Sequence, residues 1–380
     1  MPNYDYIIIG AGASGLLLAN AMGSDNFFAG KRILVLDKDA KKTNNRTWCF
    51  WEKGEGNFDA ILHRKWPQIF FAGKEVSLST TISPYQYKML KGIDFYNHYL
   101  QKIATYANIT FIQEKVSAVV EVTNEVRVKT ASSEYKGKQV FNSIFDYNKA
   151  LHQKKYPVLQ QHFLGWFVKT ESAVFKKEEA TFMDFSVPQN GNTRFMYVLP
   201  FSASEALVEY TLFSEKTLAK NEYETAIITY LEEKLGVTNY KITEVEQGNI
   251  PMTCFNFSAA NSNQILNIGI AGGWAKPSTG YTFYNSTKKV KKLTQYLKTE
   301  KPLSKFSKKT RFWYYDLLLL DVLKKENGLG QSIFEAMFKK RKPQLILKFL
   351  DEDTSFLEEL KIIWACPKLP FIKALLQRIF

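Results

Sequence analysis

Asp5-Tyr-Ile-Ile-Ile-Gly10-Ala-Gly12-Ala-Ser-Gly15 is a short β-branched run closing in G-x-G-x-x-G, and Leu16 to Met22 continues as a helix. Lys31-Arg-Ile-Leu-Val-Leu-Asp37 is the next apolar strand and ends on an acid about twenty residues beyond the glycines. Strand, turn, helix, strand is the right-handed βαβ unit that starts a parallel sheet. Each glycine has a physical task there. Gly10 permits the tight turn, Gly12 lets backbone approach a pyrophosphate, and Gly15 lets the helix pack on the strand with its N-terminus toward the phosphates. Asp37 is placed to accept ribose hydroxyls, so the stretch predicts a bound dinucleotide.

Outward from this turn, 380 residues at roughly 150 per domain imply two or three units. The 45% apolar content supports a sizeable core and excludes intrinsic disorder. No window reaches the 18 or so uncharged apolar residues of a membrane-crossing helix, because Leu317–Leu320 is closed by Asp316 and Asp321. No secretory signal is read at the start, so a cytoplasmic protein is expected. Three dispersed cysteines and four histidines argue against a disulfide framework or a zinc cage. The net charge is +14, and residues 287–380 carry 21 Lys and Arg against 10 Asp and Glu. Those basic residues, including Lys339 to Lys342, alternate with Phe338, Leu345, Ile346, Phe349 and Leu350 and match no nucleic-acid motif. No nucleic acid is expected. An anionic membrane surface met by amphipathic helices fits the pattern, and a solvated bundle with a lysine-rich face is the other reading.

A helix is expected from Tyr96 to Tyr106, followed by strands at Ile109–Ile112, Val116–Val122 and Glu125–Thr130 that read as an antiparallel insertion. Phe163–Phe175, Ala180–Phe185, Arg194–Pro200 and Glu205–Phe213 form a second strand-rich block. Ile265–Ala271 returns as an apolar strand, and from Phe283 onward the pattern is helical. The expected fold is α/β: a Rossmann-like FAD-binding domain, an inserted antiparallel-sheet substrate domain and a helical C-terminal region. The boundaries read as 1–95 with 250–285 and part of 96–160 for the first, 160–250 for the second and 286–380 for the third.

FAD and NAD share the first fingerprint. Gly269-Ile-Ala-Gly272-Gly273-Trp-Ala-Lys-Pro277-Ser-Thr279-Gly280 is a second strand-to-helix glycine turn far down the chain. Two such turns favour FAD, since an NAD domain more often closes within about 150 residues.

No serine–histidine–acid or cysteine–histidine set is evident, which argues against nucleophilic hydrolysis. In Ala206-Leu-Val-Glu209-Tyr-Thr211 a carboxyl group is embedded among apolar and aromatic residues, surroundings that keep an acid protonated near neutral pH. Strand alternation alone would instead turn Glu209 to solvent between Val208 and Tyr210. In Asn45-Arg46-Thr-Trp48-Cys-Phe-Trp51, Arg46 is a candidate contact for phosphate or flavin. The indoles of Trp48 and Trp51 are candidate cation stabilisers, with aromatic packing as the alternative.

Asn45–Trp51, Tyr87–Phe95, Phe163–Trp166, Met183–Phe185, Tyr197–Phe201, Leu207–Thr211, Ile250–Met252 and Pro277–Tyr281, taken in order, resemble the motifs of the bacterial-type lycopene β-cyclase family. The match runs from Tyr4 to about Tyr284. The resemblance implies conversion of the ψ-end groups of lycopene to β-ionone rings without net redox change. It also implies FAD in its reduced form, with NAD(P)H as reductant. The family's essential acid falls on Glu209, as proton donor or cation stabiliser. Tyr210 stands where many members carry a second acid. A flavin-dependent oxidoreductase, hydroxylase or prenyl reductase, shares both glycine turns and is the main rival, and a non-catalytic flavoprotein is a third reading. Neither the oligomeric state nor the number of ends cyclised is fixed by these motifs.

Overall fold

The structure is a computed structural model and describes residues 2–379. These divide into two compact units. The first comprises the chain up to Trp48, Leu90–Lys155 and Cys254–Arg311; the second comprises Cys49–Met89, Tyr156–Thr253 and the chain from Phe312.

The first unit is built on a parallel core in the order Ile109–Gln113, Ile33–Asp37, Asn3–Ile9 and Glu134–Asn142. Glu134–Asn142 pairs its second half in parallel with Ile265–Asn267, while its first half starts an antiparallel meander through Glu125–Lys129 and Ala118–Val122. Ile7, Ile9, Leu34, Leu36, Val126, Val128 and Val140 form one buried cluster. Such continuously apolar strands belong to a sheet covered on both faces.

Ile109–Gln113 therefore extends the parallel sheet and is not part of an antiparallel insertion. Glu134–Asn142 went unread because its Lys-rich first half buries only alternate residues before Val140 and Phe141. The expected helix starts earlier, at Gly92, and ends at Ala104.

In the second unit a seven-stranded sheet runs Tyr240–Thr253, Val158–Thr170, Glu205–Ser214, Thr193–Pro200, Glu179–Asp184, Gln68–Ala72 and Ser77–Thr81. All pairs are antiparallel except Glu179–Asp184 with Gln68–Ala72. Antiparallel strands alternate their side chains between two faces. One face carries Leu164, Trp166, Met196, Val198, Val208, Tyr210 and Leu212 against Tyr223 and Ile227 of the helix Lys220–Thr229. Residues 49–89, expected with the nucleotide-binding segments, contribute strands to this second unit because Gln68–Ala72 finds its partner in Glu179–Asp184. The C-terminal helices are likewise divided. Phe283–Leu297 buries Val290, Leu293 and Leu297 in the first unit against the helix Ala13–Gly23, whereas those beyond Arg311 belong to the second.

Candidate functional site

Gly10 has φ +98°, and a Cβ on it would overlap the Ser143 hydroxyl, which donates to the Ile9 carbonyl. A Cβ on Gly15 would overlap the Gly10 carbonyl oxygen. Gly12 differs: its backbone is ordinary extended and a Cβ there would meet nothing within 4 Å. Two glycines thus serve the fold, and the third leaves open space at the helix N-terminus, the cradle that a phosphate requires.

Asp37, at the end of its strand, accepts from the Ala11 N–H (2.6 Å), the Asp39 N–H (2.8 Å) and the Lys41 ammonium (3.1 Å). Its carboxylate is held beside the glycine turn, as ribose recognition needs. Arg46 lies near this acid through Tyr96. The phenol donates to Asn45 at 3.0 Å, the Lys41 ammonium lies 5.6 Å from the ring centre, and Arg46 acts electrostatically on the hydroxyl. Burial nonetheless raises the Tyr96 pKa.

The second glycine turn folds against the start of the first helix. Gly269, at φ +60°, would place a Cβ 2.8 Å from the Ser14 hydroxyl, and Gly272 would drive one into the Asn267 carbonyl. Gly273 and Gly280 also have positive φ, and the buried Thr279 accepts from the Tyr281 N–H. The indole N–H of Trp274, buried here, has no hydrogen-bond partner. A buried donor left unmatched in a polar turn fits an incoming polar ligand. The buried side chain of Lys276 sits in the same turn, a feature that sequence reading passed over. These residues fit a dinucleotide such as FAD.

Trp48 and Trp51 part company, because three residues along a strand point to opposite faces. Trp48 stacks on Phe283 at 5.0 Å and meets Phe95 and Tyr96 edge-on within the first unit, as aromatic packing. Trp51 lies in the second unit, donates to the Leu347 carbonyl at 3.2 Å and meets Phe182 edge-on at 6.0 Å.

Glu209 is only 8% exposed, so alternation does not turn it to solvent. It lies on the sheet face opposite Val208 and Tyr210. Its cross-strand partners are Tyr197 on one side and Gly165 on the other. Beyond Gly165 the next strand brings Glu246 into the same row. Burial holds the Glu209 carboxyl well above the ordinary carboxylate range; the Glu246 charge and hydrogen bond push the same way, and the Thr211 hydroxyl, donating at 2.8 Å, opposes them. Phe182 joins Tyr197, Tyr87 and Trp51 in edge-on contacts. Tyr87 hydrogen-bonds the thiol of Cys49, whose pKa burial raises well above the usual value, with Glu246 and Glu209 adding to the effect. The arrangement is a buried acid, its neutral form favoured by burial, on an aromatic-lined face.

Tyr210 points into the opposite core, where its hydroxyl accepts from buried Arg194 at 3.3 Å. Sequence reading missed Glu246 because its strand, Tyr240–Thr253, is polar at most positions before Ile250.

No curated protein matches the chain significantly. Among solved structures, a geranylgeranyl bacteriochlorophyll reductase-like protein from Thermoplasma acidophilum is 12% identical, with 99% of both chains covered and a TM-score of 0.61. The flavin-dependent brominase Bmp2 is 13% identical over 99% of both chains at TM-score 0.58. p-Nitrophenol 4-monooxygenase from Pseudomonas putida is 13% identical over 99% of this chain and 98% of its own, also at 0.58. The likeness establishes the Rossmann-type fold of flavin-dependent monooxygenases and reductases. The sequence decides within that fold: the profile described as lycopene cyclase protein matches residues 5–376, and the chain belongs to the lycopene cyclase family.

Proposed function

We propose that the protein is a lycopene β-cyclase, an FAD-dependent enzyme of isomerase type that closes ψ-end groups into β-ionone rings without net redox change. The observation that carries the reading is the burial of Glu209 on a face lined by aromatic rings, which favours the neutral form of its carboxyl group. Gly10, Gly12, Gly15, Asp37, Arg46, Gly272, Gly273, Thr279 and Gly280 would hold the dinucleotide. When bound and reduced, with NAD(P)H as reductant, FAD supplies negative charge that favours a carbocation.

The chain's own residues do the rest. Glu209 delivers its proton to C2 of the end group, and the C1=C2 electron pair forms the new C–H bond, leaving a tertiary cation at C1. The C5=C6 pair closes the ring from C6 to C1, and loss of the C6 proton from the resulting C5 cation restores a C5=C6 double bond. The π faces of Trp51, Phe182 and Tyr197 stabilise positive charge and exclude water, which would otherwise trap the cation as a tertiary alcohol. Trp48 supports the first unit by packing. Lycopene is the substrate, and peripheral contact with the cytoplasmic face of the cell membrane is part of the reading, because a C40 hydrocarbon has no useful aqueous concentration.

Expression in a lycopene-accumulating bacterium, with pigments separated by chromatography, tests this directly. Wild-type protein is expected to yield γ- or β-carotene, and Glu209→Gln is expected to lower the yield by about 10² to 10⁴-fold while retaining flavin. Stoichiometric NAD(P)H oxidation with a reduced or hydroxylated product would replace the cyclase by a flavin oxidoreductase.

A further inference from the structure

Gly165 separates two glutamates. It is the cross-strand partner of Glu209 on one side and of Glu246 on the other. Directly paired residues of an antiparallel sheet point to the same face. A side chain at position 165 would stand between them: its Cβ would lie 3.3 Å from Glu209 Cβ and 3.3 Å from Glu246 Cγ. With glycine there, the two carboxyl groups close over the gap and meet in a hydrogen bond. We propose that Glu246, brought across the sheet over Gly165, is a positioning residue that shares one proton with Glu209 and holds it on the buried member of the pair. This inference rests on the cyclase reading and supplies the second acid that Tyr210 does not.

The burial of the two members differs in a useful way. Glu209 is buried, and Glu246 is half-buried. Two adjacent carboxylates cannot both ionise cheaply in such a place. The pair is therefore arranged to share a single proton. The other groups facing it are the Thr211 hydroxyl, the Cys49 thiol with its Tyr87 partner, the Tyr197 phenol and, two residues along the strand from Glu246, the Glu244 carboxylate. During turnover the Glu209 O–H bond breaks as the C2–H bond forms, which leaves two neighbouring carboxylates and a carbocation. When the C6–H bond breaks, its electron pair forms the ring double bond and its proton returns to Glu209. The pair ends with the one proton it began with, and no further reactant is consumed.

The test titrates the pair without requiring turnover. In infrared difference spectra of the flavin-loaded full-length protein, a protonated-carboxyl band is expected near neutral pH and is expected to vanish in Glu209→Gln. Glu246→Gln, with Glu246→Ser as a second neutral variant, should move the titration midpoint of that band to lower pH by about one unit or more. That shift is a tenfold loss of the protonated form at a fixed pH on the alkaline side. Glu246→Asp, which keeps the charge, should return the midpoint toward the wild-type value. The alkaline limb of kcat should follow the same order. A midpoint unchanged in whichever neutral variant folds overturns the proton-sharing pair. A band that shifts as expected in a protein that cyclises nothing overturns the cyclase reading and leaves the pair standing.

Discussion

The hydroxyls of Ser14 and Ser286 lie 2.8 Å apart, both buried, joining the starts of the two helices that follow the two glycine turns. Ser14 also fills the space beside Gly269. The two turns therefore share a floor. Ser14→Ala leaves the Ser286 hydroxyl buried without this partner and is expected to cost about 1–3 kcal/mol. Ser14→Ala with Ser286→Ala should cost less than the sum of the two single changes, because the second removes a group already unsatisfied. Urea unfolding midpoints of the four proteins check this; strict additivity would mean that the hydroxyls do not depend on each other.

The glycines of the first turn separate cofactor binding from folding. Gly12→Val projects into open space from an extended backbone and is expected to leave the fold intact while removing flavin, so the purified variant should be colourless in its oxidised state. Gly15→Val drives a branched carbon into the Gly10 carbonyl and against Ile8, and is expected to abolish soluble expression. A normal flavin spectrum at full occupancy in Gly12→Val would remove this turn from the cofactor site.

Both glycine turns were legible in the sequence because their information is local: Gly10, Gly12 and Gly15 define a backbone path within six residues. Glu209 was legible as a candidate for the same reason, through its apolar neighbours Val208 and Tyr210. Its burial was not, since Val208 and Tyr210 face a helix while Glu209 faces the aromatic set, and alternation says nothing about what covers the second face. Glu246 was invisible, because its relation to Glu209 exists only through the register of two strands with Val158–Thr170. The separation of Trp48 from Trp51 follows from strand alternation, which a reading of the block as a single cluster overlooked.

A buried histidine makes stability depend on pH. His162 has Nε2 2.7 Å from the Ser214 hydroxyl and Nδ1 2.6 Å from the Tyr223 hydroxyl. Burial is the main cause that lowers its pKa from 6.5 to about 4; the Arg194 charge adds to this, and a hydrogen bond involving Lys216 opposes it. Between these two values the unfolded chain binds the proton that the folded chain refuses. Stability is therefore expected to fall as pH drops from about 6.5, with this contribution levelling off below about 4. His162→Gln, which has no such proton to bind, should show a shallower loss over that window. Denaturant midpoints at pH 7, 5.5 and 4.5 measure the difference, and parallel curves for the two proteins would exclude His162 as the source.

The last expectation concerns the surface through which a hydrocarbon substrate is collected. Among the described residues no helix is long and apolar enough to cross a membrane. The run Lys339 to Lys342 is largely engaged within the fold: Lys339 pairs with Glu75 at 3.0 Å, and Lys340 and Arg341 donate to the carbonyls of Ala365 and Lys361. The helices Phe356–Ala365 and Lys368–Ile379 look different. Phe356, Leu357, Trp364, Leu369, Ile372 and Leu376 are exposed on them, among Lys361, Lys368 and Lys373, and the Lys368 ammonium stands 4.0 Å over the Trp364 ring. Large apolar side chains beside basic ones are the composition of a helix that lies in a lipid interface. The net charge of +14 selects an anionic one. Each basic residue at such a surface contributes about 1 kcal/mol, screened as the Debye length falls from about 8 Å to about 3 Å near 1 M salt. Wild-type protein is expected to sediment with vesicles containing anionic lipid and to be partly released by high salt. Trp364→Ser with Leu369→Ser should weaken that binding about tenfold or more and slow cyclisation of membrane-embedded lycopene, while detergent-dispersed substrate is affected less. Charge reversal at Lys339 and Lys340 should weaken vesicle binding less than the paired serine changes do. Equal loss in both assays, or no vesicle binding by the wild-type protein, would show that these helices meet something other than lipid.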